Sequence, residues 1–323
     1  MGRRGFLVRV LARNAASLQR VRADIGAAGV YGRVSAGPAA PKRLPYADNL
    51  VNLIVVADLP DLLARGLPLA EIFRVLTPNG VALLDVGDAE RKSIGAKLAA
   101  VGIESFKTVA LDGGAWVRAV KPRPAEMGEW PYFSHGPDGN FVSKDLLVGP
   151  ARSLRWRDAV WAKHTVNIFT GWVSAGGRMF HCVRRLAGHG HRVRYVLVAR
   201  DAYNGLPIWE RPVSWPIGGK YGDRNVVATA DRLYLPLEPK GPIVALDAAT
   251  GRTVQTYTHS IRPDQIMLAD GKMLMSNWRQ SRAIDLASGE KLWDNATVGG
   301  SMALADGQLL FGNAYRNRLV SLD

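Results

Sequence analysis

The sequence contains a single cysteine, Cys182, among its 323 residues. One thiol can neither form an internal disulfide nor build a cysteine-based metal site, so both are excluded. Cys182 lies in the alternating apolar segment GRMFHCV. That pattern predicts a small buried side chain.

Long apolar runs are missing as well. No run of about 18 apolar residues occurs, and Arg9 interrupts the apolar segment near the first residue. A helical membrane span needs about 20 such residues, and a secretory leader needs an unbroken apolar core of about 7 to 15. The sequence therefore predicts no membrane span and no leader among these residues, and it does not fix a compartment.

Acidic residues are scarce relative to basic ones. There are 28 Asp and Glu against 42 Lys and Arg, which gives a formal charge of +14. A clustered basic surface would attract nucleic acid or anionic lipid. The arginines are instead spread along the chain, and the densest stretch, 178–200, does not interleave them with aromatic residues as single-strand binding surfaces do. The composition thus argues against nucleic-acid binding.

The second half of the chain contains a repeat. Asp201, Asp247, Asp285 and Asp323 are separated by 46, 38 and 38 residues. A glycine follows each of the first three aspartates by four positions, and a large side chain follows by four more. An Asp that bonds to nearby amides and a Gly at positive φ make a tight turn, so each unit predicts a hairpin. The glycines are Gly205, Gly251 and Gly289, and the side chains are Trp209, Gln255 and Trp293.

A second hairpin signal lies 15 to 17 residues before each later aspartate, with Asp231, Asp270 and Asp306 at the turns. Four strands in 38 to 46 residues is the size of one propeller blade. We therefore predict an all-β propeller over 154–323, with about four blades and an incomplete ring. A strand ending at Asp323 leaves an open blade edge for self-association. The incomplete ring indicates a truncated gene product or a fragment. Alternatively, two copies complete one ring.

The pattern D-A-x-x-G-x-x-x-W resembles the quinoprotein-like repeat of alcohol dehydrogenases that carry pyrroloquinoline quinone (PQQ), and of cofactor-free propellers. The resemblance implies that Trp209 and Trp293 dock one blade on the next, and that many such propellers work outside the cytoplasm, which allows a periplasmic location. The quinone enzymes also use adjacent cysteines, a calcium site and a catalytic aspartate. Because the chain has one cysteine and nothing identifies the other two features, we do not predict PQQ binding.

The first 120 residues alternate strand and helix signals. Residues 6–12 predict a strand, and a helix is expected from about Ser17, as N-cap, to Ala28, with Gly29 as the stop. Pro78, Asn79 and Gly80 predict a turn before a strand over 81–86, and Asp88 is a candidate cap for a helix that bears Ile94 and Leu98. Two strands around Asp112 and Gly113 predict a terminal hairpin. This order indicates an α/β sheet with a mixed edge.

Within this region, LPYADNLVNLIVV followed by EIFRVLTPNGVALL resembles the later half of a class I S-adenosylmethionine-dependent methyltransferase. The resemblance covers about residues 5 to 120 and implies a partial Rossmann-like domain over 1–120. The family's acidic residue and glycine-rich loop are missing before Phe6, Arg13 lies near the place of the ribose-binding acid, and Asn52 replaces an Asp. Asp48 and Asp58 match the family's acids and are candidate cofactor ligands. Their alternative roles are a turn residue and a strand-end residue.

The missing first strand has a structural consequence. In the family this strand is central, and its neighbours correspond to the strands that begin here at Phe6 and Val51. These two strands lose their shared neighbour, so buried amides would go unpaired at about 1–3 kcal/mol each unless the strands pair directly. S-adenosylmethionine is therefore expected only in a longer parent protein that has a complete domain.

Residues 121–153 are rich in Pro and Gly and are predicted to be a connector. Their sequence resembles the junction of bacterial proteins that fuse a methyltransferase-like domain to a quinoprotein-like propeller. His135 and His164, with His181, His189 and His191 downstream, lack the spacing of a zinc site, so we predict no metal.

Two functions from different classes follow. The first is a binding or scaffolding protein whose blade loops meet a protein or polysaccharide partner, with an inactive or incomplete methyltransferase-like domain. The alternative is a methyltransferase in a longer parent protein. A quinone-dependent oxidoreductase is a second alternative that the residues do not favour.

Overall fold

A computed structural model describes residues 5–40, 42–87, 91–111, 114–150, 154–156, 170–187, 192–217, 223–313 and 318–322. The chain divides into two compact units, Met1–Arg123 and Pro124–Asp323. Most of the predicted connector, 121–153, therefore lies within the second unit. No helix in the described ranges is long and apolar enough to cross a membrane.

The first unit is the α/β part. Its elements in chain order are β1 (Val8–Ala12), α1 (Ala15–Ala27), β2 (Val34–Pro38), β3 (Val51–Val56), α2 (Leu59–Ala64), α3 (Leu69–Val75), β4 (Leu76–Asp85), α4 (Ile94–Ala99), β5 (Phe106–Leu111) and β6 (Gly114–Val120).

The N-cap of helix α1 lies three residues earlier than predicted. Asn14 is the N-cap: its side chain accepts from the Ser17 amide at 2.8 Å, and the Ser17 hydroxyl accepts from the Asn14 amide at 3.1 Å. The assignment of Ser17 as N-cap was therefore wrong, because Asn14 and Ser17 form a reciprocal capping box in which Ser17 is the third helical residue. Gly29 follows the helix with φ of +63°, as a stop requires.

One mixed sheet holds the core of this unit. Its order is β3-β4-β6-β5, with β3 and β4 parallel and the other pairs antiparallel. Helices α3 and α4 cover it with Ile72, Phe73 and Leu98, which pack with Leu84 of β4. The predicted terminal hairpin is confirmed as β5 and β6. Asp88, Asp112 and Gly113 lie outside the described residues.

The predicted turn at Pro78 to Gly80 lies inside β4. Val51 pairs with Leu76 whereas Leu53 pairs with Val81, so four residues of β4 bulge out between the two pairs. Asn79 has φ of +62° at this bulge. Strand β4 consequently begins directly after α3 and includes the turn.

Strands β1 and β2 form a separate two-stranded parallel sheet. The sequence patterns predict neither β2 nor the short helix α2. Among the described residues, β1 pairs only with β2 and β3 pairs only with β4, so β1 and β3 each keep one unpaired edge. In this part of the structure β1 and β3 do not pair with each other.

The second unit consists of antiparallel sheets in which consecutive strands are neighbours. Three sheets have four strands and the last has three, which agrees with the predicted blades. The blades are β7 (Thr170–Ala175), β8 (Arg178–Ala187), β9 (Arg192–Asp201) and β10 (Pro207–Val213); β11 (Val227–Ala228), β12 (Arg232–Pro236), β13 (Ile243–Asp247) and β14 (Thr253–Tyr257); β15 (Gln265–Ala269), β16 (Lys272–Ser276), β17 (Ser281–Asp285) and β18 (Lys291–Asn295); and β19 (Ser301–Ala305), β20 (Gln308–Asn313) and β21 (Arg318–Leu322).

Neighbouring blades pack face to face through alternating apolar residues. Phe180 and Leu197 of the first blade pack with Leu233 and Leu246 of the second. Similar clusters join the second blade to the third and the third to the fourth. Because successive strand residues point to opposite faces, each blade contributes one apolar face to each neighbour, and its strands read as nearly continuous apolar runs.

The repeat aspartates form the hairpin turns that join the third and fourth strands. Asp201 accepts from the amides of Tyr203 and Asn204 at 2.8 and 3.0 Å. Asp285 accepts from the Ser288 amide at 2.7 Å, and Asp247 does the same with the Thr250 amide at 2.8 Å. The Thr250 hydroxyl also donates to Asp247 at 2.7 Å, and this bond, with the amide bond, holds the pKa of Asp247 below the usual value. The hydrogen bonds from the Ser288 amide and hydroxyl do the same for the pKa of Asp285.

The glycine of each turn receives a side chain from the previous blade. The Trp209 ring lies over Gly251, and its indole nitrogen donates to the Ala248 carbonyl at 3.0 Å. Gly251 has φ of +71°, and a Cβ built there would lie 2.7 Å from the Trp209 ring. Gln255 reaches the next turn, where it donates to the Ala287 carbonyl at 3.1 Å. Trp293 packs in the cluster between the third and fourth blades.

Replacing Gly251 tests this docking contact. Gly251→Ala should lower the free energy of unfolding of the blades by about 2–4 kcal/mol, because it combines backbone strain with overpacking against Trp209. The matched control is Gly271→Ala. Gly271 has the same φ of +71°, but no atom lies within 4 Å of an added Cβ. This substitution should therefore lower the free energy of unfolding only by the backbone strain, about 1 kcal/mol. Urea unfolding followed by tryptophan fluorescence measures both, since eight of the nine tryptophans lie in the second unit. Equal losses would mean that the docking contact adds nothing.

Candidate functional site

In the α/β unit, the carboxyl ends of β1 and β3 meet through an ion pair. Arg13 follows β1 and Asp58 follows β3, and their side chains lie 3.2 Å apart; Arg13 also lies 3.4 Å from Asp61. Asp58 caps α2 as well, since it accepts from the Asp61 amide at 3.0 Å. Asp58 is therefore a helix cap and an ion-pair partner at the edge where the family resemblance places a ribose ligand.

Asp48 is engaged by a different arginine. Arg74 of α3 contacts Asp48 at 2.5 Å and Glu71 at 2.6 Å, and it donates to the carbonyls of Leu44 and Tyr46. Glu71 also accepts from the Leu44 amide at 2.7 Å. Arg74 thus ties the loop before β3 to α3, with Asp48 as one of its contacts.

Glu71 and Arg74 of α3 form an ion pair that shifts the pKa of both side chains. The hydrogen bond from Arg74 lowers the pKa of Glu71, and the hydrogen bond to Glu71 raises the pKa of Arg74. Both side chains are largely shielded from solvent, which strengthens the pair. The spacing of three residues on one helix is the signal that could have predicted it.

These contacts bear on cofactor binding. Asp58 is paired with Arg13 and Asp48 with Arg74. These two acids are therefore already engaged by cations and do not fit a ribose-binding role, and we derive no step through S-adenosylmethionine.

In the second unit, the segment before the first blade crosses the innermost strand of every blade. Trp130 exchanges two backbone hydrogen bonds with Ser174 of β7, at 2.7 and 3.1 Å. Further along, the Pro131 carbonyl accepts from Ala228, the Tyr132 hydroxyl contacts the Leu268 backbone, and the Pro137 carbonyl accepts from Leu304. Part of the predicted connector is therefore a built component of the blades, and its contacts all fall near the same end of the inner strands.

An aromatic cluster lies on this crossing segment and on β7; we define it as Trp130, Phe133, His135, Phe141 and Trp172. The rings of Trp130 and Trp172 stack at 6.4 Å, and His135 meets Trp130 edge-on at 5.1 Å. Phe133 and Phe141 form a second edge-on pair at 5.4 Å. Trp172 is 54% exposed, so its ring is presented to solvent at an inner strand.

An arginine completes the cluster. The Arg224 guanidinium lies 5.8 Å from the centre of the Phe133 ring, and it donates to the Ser301 hydroxyl at 2.7 Å. Because Ser301 begins β19 and Arg224 precedes β11, this side chain links the inner strands of two blades to the aromatic cluster. Trp and Arg are both enriched in binding hot spots.

Metal ligands are not assembled in the described part of the chain. There, no group of three or more His, Cys, Asp or Glu side chains could hold a metal ion. His135 packs on Trp130, and His181 is buried in β8. His164, His189 and His191 lie outside the described residues. Cys182 is buried, and burial raises the pKa of its thiol.

Comparisons with known proteins follow the division into two units. No protein-family model and no curated protein matches the chain. Its N-terminal part is similar to a SAM-dependent methyltransferase from Aquifex aeolicus, with 19% identity over 35% of this chain and 67% of that one, and a TM-score of 0.29.

The C-terminal part is similar to a europium-containing methanol dehydrogenase, with 16% identity, a TM-score of 0.36, and coverage of 54% of this chain and 32% of that one. A quinohemoprotein alcohol dehydrogenase from Comamonas testosteroni gives 19% identity, a TM-score of 0.34, and coverage of 54% and 28%. The chain spans about a third or less of the length of these two dehydrogenases.

The Glu71 and Arg74 pair predicts a pH dependence. Because the folded pKa of Glu71 is lowered, its stabilising effect is present above the unfolded pKa of about 4.3 and is lost as the pH falls through the folded value. Glu71→Gln should therefore lower the free energy of unfolding of the α/β unit by about 1–3 kcal/mol at neutral pH and by less below about pH 4.

Urea unfolding followed by the helical circular dichroism signal tests this, since the described α-helices lie in the first unit. Asp24→Asn, on the exposed surface of α1, is the control and should have little effect at either pH. A Glu71→Gln loss that stays constant as the pH falls would contradict the proposed charge contribution.

Proposed function

We propose that this chain is a binding or scaffolding protein in which the blades present the ligand surface and the α/β unit transfers no methyl group. The observation that carries the proposal is the aromatic cluster on the segment that crosses the inner strands, with Trp172 exposed and stacked on Trp130.

The aromatic cluster suits a ligand that offers flat or apolar groups. Indole rings supply a large contact area at small conformational cost, and the polar edge of the ring can still bond to solvent or ligand. A sugar ring or an apolar side chain of a partner protein can lie against Trp172. Arg224 adds a cation beside Phe133 that can meet a polar or acidic group of the same ligand. A polysaccharide or a protein is the expected partner.

The contacts of the α/β unit support the second half of the proposal. The two acids that match the methyltransferase pattern serve the fold: Asp58 caps α2 and pairs with Arg13, while Asp48 pairs with Arg74. Binding the ribose of S-adenosylmethionine at Asp58 would require breaking the pair with Arg13 and would bring the ligand against a cation in place of the acid that the family uses.

A methyltransferase in a longer parent protein is the second candidate, and one observation favours it. In the described part of the chain β1 and β3 each have one unpaired edge, and Arg13 and Asp58 hold their carboxyl ends within reach of each other. One further parallel strand between them would join the two sheets into a single sheet. A quinone-dependent oxidoreductase gains no comparable support, because Cys182 is a lone buried thiol.

Titration with S-adenosylmethionine separates the two candidates. We expect isothermal calorimetry of the full chain to show no saturable heat at micromolar ligand, because the acids that would bind the cofactor are already paired. Saturable binding that disappears in Asp58→Ala would instead support the methyltransferase.

Substitution of Trp172 tests the ligand surface. In native affinity gels cast with soluble polysaccharides, and in parallel pull-downs with immobilised candidate proteins, we expect Trp172→Ala to weaken retention about tenfold or more, as loss of a binding hot spot does. The matched control is Trp278→Ala, since Trp278 is 50% exposed and packs with Arg279 in a loop at the opposite end of its blade. Equal retention of the two variants would remove the aromatic cluster as the ligand site.

A further inference from the structure

The side chain of Arg224 lies among the inner strands of the blades. The short 3₁₀ helix that carries it, Asp223–Asn225, lies against β7 and β15. The Nη1 atom of Arg224 donates to the Ser301 hydroxyl, at the start of β19, at 2.7 Å. Arg224 therefore reaches from the connection before β11 to the inner strand of the last blade, and contacts with three inner strands fix its position.

No acid neutralises this cation within the described part of the chain. Arg185 shows what such a pair looks like, since both of its Nη atoms bond to the Glu210 carboxylate at 2.7 Å. Among the described residues Arg224 bonds only through Nη1, so the rest of its guanidinium fork can bind a carboxylate or a sulfate in the same two-point manner. Other arginines, Arg211 among them, also lack an acid there, so the surroundings of Arg224 decide what it binds.

Phe133 joins this cation to the aromatic cluster. The centre of its ring lies 5.8 Å from the Arg224 guanidinium, and its carbonyl accepts from the Trp130 indole nitrogen at 3.1 Å. Trp130 in turn stacks on the exposed Trp172. The cation and the exposed indole are therefore two ends of one connected set of side chains. Because their mutual contacts hold them in place, binding a ligand costs little further ordering.

The crossing segment occupies inner-strand edges that a peptide would use. A peptide that adds to a sheet bonds to the amides and carbonyls of an edge strand. Trp130 already exchanges such bonds with Ser174, and the Pro131 carbonyl accepts from the Ala228 amide. The cluster instead offers a ligand an aromatic ring and a cation. A sugar ring can place its apolar face on the first and an acidic substituent on the second.

We propose that the ligand of this surface is an anionic polysaccharide, with a sugar ring stacked on Trp172 and a carboxylate or sulfate group bound by Arg224. This inference rests on the binding function proposed above and narrows it to a ligand that carries negative charge. The formal charge of +14 favours the approach of such a polymer from solution. Arg224 then distinguishes an acidic sugar from a neutral one at the surface.

Two matched pairs of polymers test the charge requirement. Polygalacturonate is paired with its methyl ester and dextran sulfate with dextran, so that only the acidic group differs within a pair. In affinity gels at about 0.15 M salt, charges more than about 8 Å apart are largely screened. We expect at least one acidic polymer to retain the full chain about tenfold more strongly than its neutral counterpart. The pair that shows the difference identifies the carboxylate or the sulfate.

Three results would overturn the anionic polysaccharide. The first is equal retention by both members of each pair, and the second is a protein captured through Trp172 while none of the four polymers is retained; both leave the proposed binding function standing. The third is competition by poly-glutamate as strong as that of the acidic polymer, because it would make the sugar ring unnecessary. If Trp172→Ala alters the retention of no polymer or protein, the proposed function fails as well.

A substitution locates the charge that is read. Arg224→Gln keeps a donor for Ser301 and removes the charge, so it should bring retention by the acidic polymer down about tenfold, to the level of the neutral one. Arg211→Gln is the matched control, since Arg211 also donates to a hydroxyl, that of Thr253 at 3.1 Å, but lies in the outer strand β10. Equal losses in the two variants would indicate attraction to the net charge alone and would overturn the site.

Arg224→Lys separates the charge from the fold. It keeps the cation but not the planar fork, so it should retain a preference for the acidic polymer that is weaker than that of the parent chain and stronger than that of Arg224→Gln. Urea unfolding followed by tryptophan fluorescence checks that the variants compared have the same midpoint. A lysine variant that is as folded as the parent and shows no more preference than the glutamine variant would contradict a role for the charge.

Discussion

The blades depend on one repeated contact, in which a side chain from an outer strand lies on the Asp and Gly turn of the next blade. The contact needs an aspartate to close the turn, a glycine at positive φ to leave room for a ring, and a donor that reaches the carbonyl beside the turn. Trp156, which lies over Gly205, and Trp209, which lies over Gly251, each supply the ring and the donor with one residue. Since each blade is marginal alone, stacking of this kind is what makes a run of blades stable.

The one departure from tryptophan shows which part of the contact matters. At the third turn, Gln255 donates to the Ala287 carbonyl, and the Tyr257 hydroxyl donates to the Leu286 carbonyl at 3.0 Å. Both side chains lie against Gly289. Two residues thus supply the flat surface and the donors that one indole supplies elsewhere, and burial raises the pKa of Tyr257 to about 12, so the hydroxyl keeps its proton. The constraint is a donor on a flat surface more than a particular residue type.

The sequence predicts the features that have a period and misses those that do not. The blades, the repeat turns and the terminal hairpin follow from regular spacing of Asp, Gly and apolar residues. The docking role of Trp156 is not predicted, because the preceding glycine, Gly149, lies seven residues before it, whereas the repeat has a spacing of four. Strand β2 is not predicted because VSAGP contains small residues with little strand preference. The contacts of the crossing segment are not predicted because its partners are backbone groups of strands that are distant in sequence.

The acids of the α/β unit illustrate a different limit. A family pattern identifies Asp48 and Asp58 as candidate ligands. It cannot show that Arg13 binds Asp58 or that Arg74 binds Asp48, because the partners lie 45 and 26 residues apart in sequence. The pair between Arg13 and Asp58 is half-exposed, and such a pair contributes at most about 1 kcal/mol. A pair this weak does not join the two sheets, which are separate among the described residues.

The crossing segment connects the candidate ligand surface to the stacking of the blades. It contacts the first strand of all four described blades through backbone groups and the Tyr132 hydroxyl. Trp130 of this segment stacks on Trp172 of β7, so the exposed ring is supported by the same segment that ties the blades together. Because those contacts come from strands of different blades, binding at Trp172 should depend on the blades staying stacked.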